Sequence, residues 1–148
     1  MNPDFRIRPG TMEEAVAISQ AVPELVDPYG MEEYEKRMGS VPYLILVAEL
    51  PGGELIGFKA GYEREVDGTF YSWMGGVRPK YRRQKVAQKL GKGMEAWARA
   101  QGYTKLTFKT RNCHRGMLHY ALHSDYQIIG FEAADEVAQH RIWLEKVL

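Results

Sequence analysis

The sequence predicts a mixed α/β domain, one sheet with antiparallel and parallel neighbours and helices on both faces. Three observations predict it. Apolar runs of strand length alternate with turn signals between residues 43 and 77. A long segment with apolar residues at helical spacing follows. A further strand-like run comes directly after it, which is the order of a β–α–β crossover. The chain has 148 residues, 45% hydrophobic and 26% charged, which suits one core and a single domain over 1–148.

Phe5-Arg6-Ile7-Arg8 alternates and reads as a short first strand. Thr11-Met12-Glu13-Glu14 has the spacing of a capping box, with Thr11 as N-cap and Glu14 reaching back. It opens a helix to about Val22, stopped near Pro23, and a shorter helix spans roughly Met31 to Met38. Tyr43 to Leu50 is a continuous apolar strand, which Pro51-Gly52-Gly53 turns into a second, Leu55 to Glu65. Asp67-Gly68 fits a tight hairpin turn into a third, Thr69 to Val77, completing an antiparallel meander. A long helix begins near Arg83, presents Val86, Leu90, Met94, Trp97 and Ala98 on one face, and ends at Gly102. Lys105 to Thr110 then runs parallel to Thr69–Val77 through a right-handed crossover. Arg115 to about Ser124 is helical, and Tyr126–Glu132 and Arg141–Val147 close the chain as an antiparallel pair.

Composition narrows the function. A net charge of +1 provides no global basic field for a nucleic acid, so any anion binding is local. Met1 to Arg8 carries charge and proline with no apolar stretch, unlike a signal peptide, and no apolar run is long enough to cross a bilayer. Cys113 is the only cysteine, which rules out an internal disulfide and fits a reducing cytoplasm.

The informative stretch is Gly75-Gly76-Val77-Arg78-Pro79-Lys80-Tyr81-Arg82-Arg83-Gln84-Lys85-Val86-Ala87. A glycine pair near the end of a strand marks a bulge or a close approach by another backbone or a ligand. Pro79 to Gln84 offers no Ser, Thr, Asp or Asn as N-cap for the following helix. The first-turn N–H groups then lack a side-chain partner, and with the positive end of the helix dipole they make an anion site. Arg78, Lys80, Arg82, Arg83 and Lys85 add charge at the same point.

In this stretch the chain resembles the GNAT superfamily of N-acetyltransferases, which carries Arg/Gln-x-x-Gly-x-Gly/Ala at the start of its third main helix. Arg82 and Ala87 match, and Lys85 replaces the central glycine. A lysine is accommodated there if the backbone is already helical, whereas a positive φ or near-contact with the pyrophosphate favours glycine. The resemblance continues in order through Asn112, Met117-Leu118, Asp125-Tyr126 before Gln127 to Gly130, and Arg141 to Leu144.

The resemblance implies a mostly antiparallel sheet of six to seven strands, splayed between the fourth and fifth, and acetyl-CoA as acetyl donor to a primary amine of a small molecule or of a peptide or protein. It implies that Gly75, Gly76, Val77, Arg82, Arg83, Gln84, Lys85, Val86, Ala87 and Asn112 hold the cofactor. It assigns polarisation of the thioester oxygen to the Val77 amide. Some relatives place a glutamate earlier on the strand that ends at Val77, where this chain has Tyr71. By strand parity Tyr71, Trp73, Gly75 and Val77 share one face. A tyrosine, with an ordinary pKa of about 10, is a poor base at neutral pH, so ordered water is expected to take the amine proton. Tyr120 lies one residue from the slot of the family's general-acid tyrosine, which falls on Ala121, and reads either as that acid or as an aromatic packed on the sheet. Relatives also suggest a homodimer through the terminal strands.

Other signals carry less. His119 and His123 share a helix face near His114, but the residue after His119 is Tyr120 rather than the glutamate of a zinc protease, and no metal is expected. Cys113 reads as a small hydrophobe rather than a nucleophile. Glu24, Asp27, Glu32, Glu33 and Glu35 read first as a solvated face, and alternatively as an acidic lid for a cationic amine. Lys85 and the missing strand glutamate leave a second function open, a catalytically silent domain that binds acyl-CoA.

Overall fold

A computed structural model of the chain describes residues 4–148. Seven strands, β1 (Arg6–Pro9), β2 (Tyr43–Glu49), β3 (Leu55–Tyr62), β4 (Thr69–Val77), β5 (Lys105–Arg111), β6 (Gln127–Glu132) and β7 (Arg141–Val147), form one sheet in the order β1-β2-β3-β4-β5-β7-β6. Four helices cover it, α1 (Met12–Ser19), α2 (Met31–Met38), α3 (Val86–Ala100) and α4 (Arg115–His123). Every neighbouring pair is antiparallel except β4 and β5.

Period-two alternation divides the apolar residues between two cores. Leu44, Leu46, Ile56 and Phe70 meet Val86, Leu90, Met94 and Ala98 of α3, with Ala121 of α4. Ile45, Val47, Phe58 and Ala60 meet Ala15 and Ile18 of α1 and Tyr34 and Met38 of α2 on the other face. Each large side chain buried along α3 contributes about 2 kcal/mol, so packing rather than helix propensity fixes this helix on the sheet. The capping box of α1 forms as expected: Glu14 N–H donates to Thr11 Oγ1 at 3.1 Å and Thr11 N–H to Glu14 Oε1 at 3.0 Å.

The parallel pair sets the architecture. Thr69, Phe70 and Tyr71 pair with Lys105, Leu106 and Thr107, and the pairing stops there while both strands continue. The sheet therefore opens into a V whose apex is Tyr71–Thr107 and whose mouth lies at the C-terminal ends of β4 and β5.

The structure departs from the sequence expectation at four places. α1 ends at Ser19, not near Val22, because Val22 turns back to donate to Ser19 O and its methyls lie where a Gly76 Cβ would stand. β3 ends at Tyr62 and β4 begins at Thr69, so a longer loop replaces the tight Asp67-Gly68 hairpin: only Gly68 has positive φ (84°), and Asp67 Oδ1 accepts the Thr69 N–H at 2.9 Å. α3 begins at Val86 rather than Arg83, since a 3-10 turn, Pro79–Tyr81, and two left-handed residues precede it. The parity of β4 is also broken. Ala60 pairs with Met74 but Gly61 pairs with Ser72, so Trp73 is an extra residue in a bulge. Tyr71 therefore faces the α1–α2 side and Val77 the α3 side.

Candidate active site

The turn between β4 and α3 explains how an anion site arises without a capping side chain. Pro79 starts the 3-10 turn, and Tyr81 anchors it by burying its ring while its hydroxyl donates to Glu54 at 3.3 Å. Arg82 is extended, and Arg83 and Lys85 take φ of 61° and 67°. Positive φ at alternate residues turns successive N–H groups toward one concavity. Lys85 is the N-cap of α3 and its side chain makes no cap bond. The first helical bond runs from Lys89 N–H to Lys85 O, and among the described residues the amides of Arg83 through Gln88 donate to no acceptor. Lys85 thus holds the left-handed conformation that suits glycine, the costlier of the two alternatives its position allowed.

The mouth of the V leads directly to these amides. Arg78 N–H donates to Ile56 O at 2.9 Å, so β4 turns the N–H of Arg78 toward β3. Alternation then directs the N–H groups of Val77 and Gly75 to the opposite edge, the one β5 has left. The Val77 carbonyl on that edge accepts from Arg82 Nε at 3.0 Å, and the same guanidinium donates to both Glu24 oxygens at 2.8 and 2.5 Å. Arg82 accordingly acts as a clamp between β4 and the loop after α1, and holds the Glu24 carboxyl below its usual range. Gly76 is required by Val22, whose Cγ2 would lie 2.9 Å from an added Cβ, and Gly75 by Phe58 O at 3.0 Å.

These groups fit the phosphate and pantetheine portions of coenzyme A. Consecutive bare amides beside Arg83 and Lys85 suit a diphosphate. Gln84, within the same turn, has its Oε1 buried with no hydrogen-bond partner.

The remaining residues named from sequence occupy distinct places. Tyr71 stands at the apex of the V on the α1–α2 face, edge-on to Tyr62 at 5.5 Å, and burial raises its phenol pKa. Tyr120 is on the opposite face, its hydroxyl over α3: an added Cβ on Gly91 would lie 2.5 Å from it. Desolvation, with Glu95 adding to it, raises the Tyr120 pKa and keeps the proton on oxygen. Asn112 directly follows β5, its Nδ2 donating to Val137 O at 3.2 Å in the loop between β6 and β7. Among the described residues, no three His, Cys, Asp or Glu side chains are grouped so as to hold a metal ion. No helix in them is long and apolar enough to cross a membrane.

The face beyond the apex has a different composition. Trp73, lifted by the bulge, packs against Tyr29, Tyr34 and Tyr62 at centroid separations of 5.5, 4.9 and 6.0 Å. Arg37 lies 4.6 Å over the Trp73 ring, donates to Tyr62 Oη at 3.0 Å, and pairs with Glu33 at 2.8 Å. Of the acidic residues on this side, Glu24 and Glu33 are paired with arginines. Arg37, Arg64, Lys109 and Trp143 were not singled out from sequence. They come from α2, the β3–β4 loop, β5 and β7, and no local motif links them.

The sequence model of the Acetyltransferase (GNAT) family matches residues 12–126. No curated protein sequence matches. Among solved structures, the IAA acetyltransferase from Bacillus cereus ATCC 14579 is 20% identical with a TM-score of 0.76, covering 98% of this chain and 100% of that one. The ribosomal-protein-S18-alanine N-acetyltransferase from Escherichia coli is 14% identical with a TM-score of 0.82, covering 97% and 94%. A GNAT family acetyltransferase from Elizabethkingia anophelis with acetyl-CoA bound is 20% identical with a TM-score of 0.76, covering 97% and 98%. Identities this low speak for the fold, while the family match, which spans the clamp, the bare amides and the V, shows that the chain belongs to the GNAT acetyltransferase family, with acetyl-CoA as its acetyl donor.

Proposed function

We propose that the protein transfers acetyl directly from acetyl-CoA to the primary amine of a small molecule or peptide. The observation that carries this reading is the run of unpaired amides from Arg83 to Gln88 at the mouth of the V. Arg83, Gln84, Lys85, Val86 and Ala87 would hold the diphosphate through their main-chain N–H groups. Gly75 and Gly76 keep β4 free of side chains where the pantetheine chain lies, and Asn112 contributes Oδ1, which no described donor engages. When bound, acetyl-CoA supplies the acetyl group: the amine nitrogen bonds to the thioester carbon, the carbon–sulfur bond breaks with its electron pair on sulfur, and the sulfur leaves as a thiol.

The residues of this chain supply position, charge stabilisation and proton control. The Val77 N–H, with that of Gly75 beside it, is aimed into the V where the carbonyl oxygen becomes negative. A preorganised donor of this kind lowers the barrier by about 3 kcal/mol. Tyr71 does not remove the amine proton, because burial moves its pKa further from neutrality. Ordered water takes that proton instead. Tyr120, kept protonated on the α3 face, is the donor to the leaving sulfur; if Tyr120→Phe leaves turnover within about twofold, that role is excluded.

Calorimetry of the folded protein with coenzyme A and acetyl-CoA, followed by thiol release with a panel of amines, tests the whole reading. Absence of binding overturns it. Binding without thiol release favours a silent acyl-CoA sensor, which the Lys85 backbone and the lack of a carboxylate at position 71 support. A homodimer belongs to the same reading, since edge strand β6 exposes Ile128, Ile129 and Phe131. A monomeric mass in sedimentation would remove it.

A further inference from the structure

Tyr71, at the apex of the V, and Trp143 of β7 lie side by side on the α1–α2 face, ring centroids 6.0 Å apart. The Arg64 guanidinium sits 5.2 Å from the centroid of each ring, and Lys109 Nζ sits 5.3 Å from that of Trp143. Lys109 and Trp143 are register partners, and Lys109 is two residues past the Thr107 partner of Tyr71. The two cations therefore flank the point where β4 and β5 separate. A cavity of about 240 Å³ opens beside them, with Arg64, Tyr71, Thr107 and Trp143 in its wall.

The charges here do not balance. Among the described residues neither Arg64 nor Lys109 has a carboxylate within 4 Å, while the neighbouring Arg37 and Arg141 hold Glu33 and Glu132. Desolvation lowers the Lys109 pKa, and Arg141, Arg64 and Arg37 lower it further against Glu132 alone. Lys109 is exposed as a residue, yet its ammonium lies on the Trp143 ring, which accounts for that desolvation. The cavity wall also carries three carboxylates: Glu145 is paired with Lys105 at 3.4 Å, Asp67 accepts the Thr69 N–H, and Glu65 stands in the loop. Like charges packed on two adjoining rings, Arg64 in the cavity wall and Lys109 on the Trp143 ring beside it, repel in the free protein, and an anion between them relieves that repulsion.

Resting on the acetyltransferase reading above, we propose that Arg64 and Lys109, on the Tyr71–Trp143 platform, form a carboxylate subsite, so that the acceptor is a small amine that also bears a carboxylate. The carboxylate lies between the two cations, the body of the acceptor on the rings, and its amine toward the open edge of β4. Both residues are specificity-determining and touch neither the cofactor amides nor the Val77 edge.

The test uses 4-(aminomethyl)benzoate and 4-(aminomethyl)benzamide, which share a benzylic amine and differ in the anion. Their N-acetyl products are titrated against the CoA-loaded protein by tryptophan fluorescence, and both amines are assayed for thiol release. The benzoate product is expected to bind, and the benzoate amine to react, about tenfold better than the amide. Arg64→Gln and, independently, Lys109→Gln should each remove most of that preference at unchanged CoA affinity, and Arg64→Lys should restore part of it. Equal binding of the two products, or a preference that survives both glutamine variants, overturns the proposal. A binding preference without turnover of either amine would support the subsite while counting against the enzymatic reading.

Discussion

The two sides of the V are built by different means. On the proposed cofactor side the candidate groups are main-chain amides, Arg83 to Gln88 and the open edge at Val77, and the side chain that matches the family motif, Arg82, is engaged as a clamp on Val77 O and Glu24. On the proposed acceptor side the candidate groups are side chains: Trp73, Tyr71 and Trp143, with Arg37, Arg64 and Lys109 on their faces. Every residue but proline carries a backbone N–H, so a site built from amides depends little on which side chains surround it. An aromatic and cationic platform has no such tolerance, because its rings and charges are themselves side chains.

The largest expected effect removes a backbone donor. Ala87→Pro deletes an N–H that bonds nothing in the protein, in a first helical turn where proline is tolerated, and should weaken coenzyme A binding by about 10- to 100-fold in calorimetry with helix content unchanged. An affinity within about threefold of wild type would mean that side chains, not amides, hold the phosphates. Next, Trp73→Leu should raise the acceptor KM by about tenfold while coenzyme A affinity stays within twofold, because the ring belongs only to the acceptor platform. A parallel loss of coenzyme A affinity would merge the two sides.

A smaller effect concerns Lys59, which faces α3 in register with Leu46 and Gly75. Burial pushes its ammonium down to about 8, with Glu95 opposing. Its pKa is lower in the folded chain than in the unfolded one, so the charged form costs stability below pH 8. That cost fades as pH rises from about 8 to 10.5. Urea titrations should show stability rising across this window by on the order of 1 kcal/mol from this group, and Lys59→Met should flatten the rise. An unchanged profile in the variant would place the ammonium in solvent. The smallest effect is that of Lys85→Gly. It relieves a left-handed lysine and should stabilise the fold by about 0.5–1 kcal/mol in thermal melts, with coenzyme A affinity changed less than fivefold. Destabilisation would show that the Lys85 side chain anchors the turn.

Much of the cofactor side was legible because its signals are local. A missing N-cap, a glycine pair and a basic turn are adjacent in sequence, and helix-end chemistry depends on neighbours within a few residues. The start of α3 was placed three residues early because the 3-10 turn and the positive φ at Arg83 and Lys85 have no strong sequence signature. The acceptor side was not legible. Parity placed Tyr71 and Val77 on one face, and the bulge at Trp73 moved them to opposite faces. A bulge is settled by how β3 pairs with β4, which lies outside any short window.

By itself the sequence determined the element order, the two apolar faces of the sheet and the uncapped start of α3, since each depends on periodicity or on adjacent residues. Only the tertiary structure decided that the pairing of β4 and β5 ends at Tyr71–Thr107, that Trp73 is lifted from the strand, and that cations from α2, β5 and the β3–β4 loop meet on the rings of β4 and β7. The physical reason is range. Hydrogen bonding at a helix end is fixed within one turn of chain, whereas a charge cluster assembled from distant elements exists only after strand register and helix packing have brought them together.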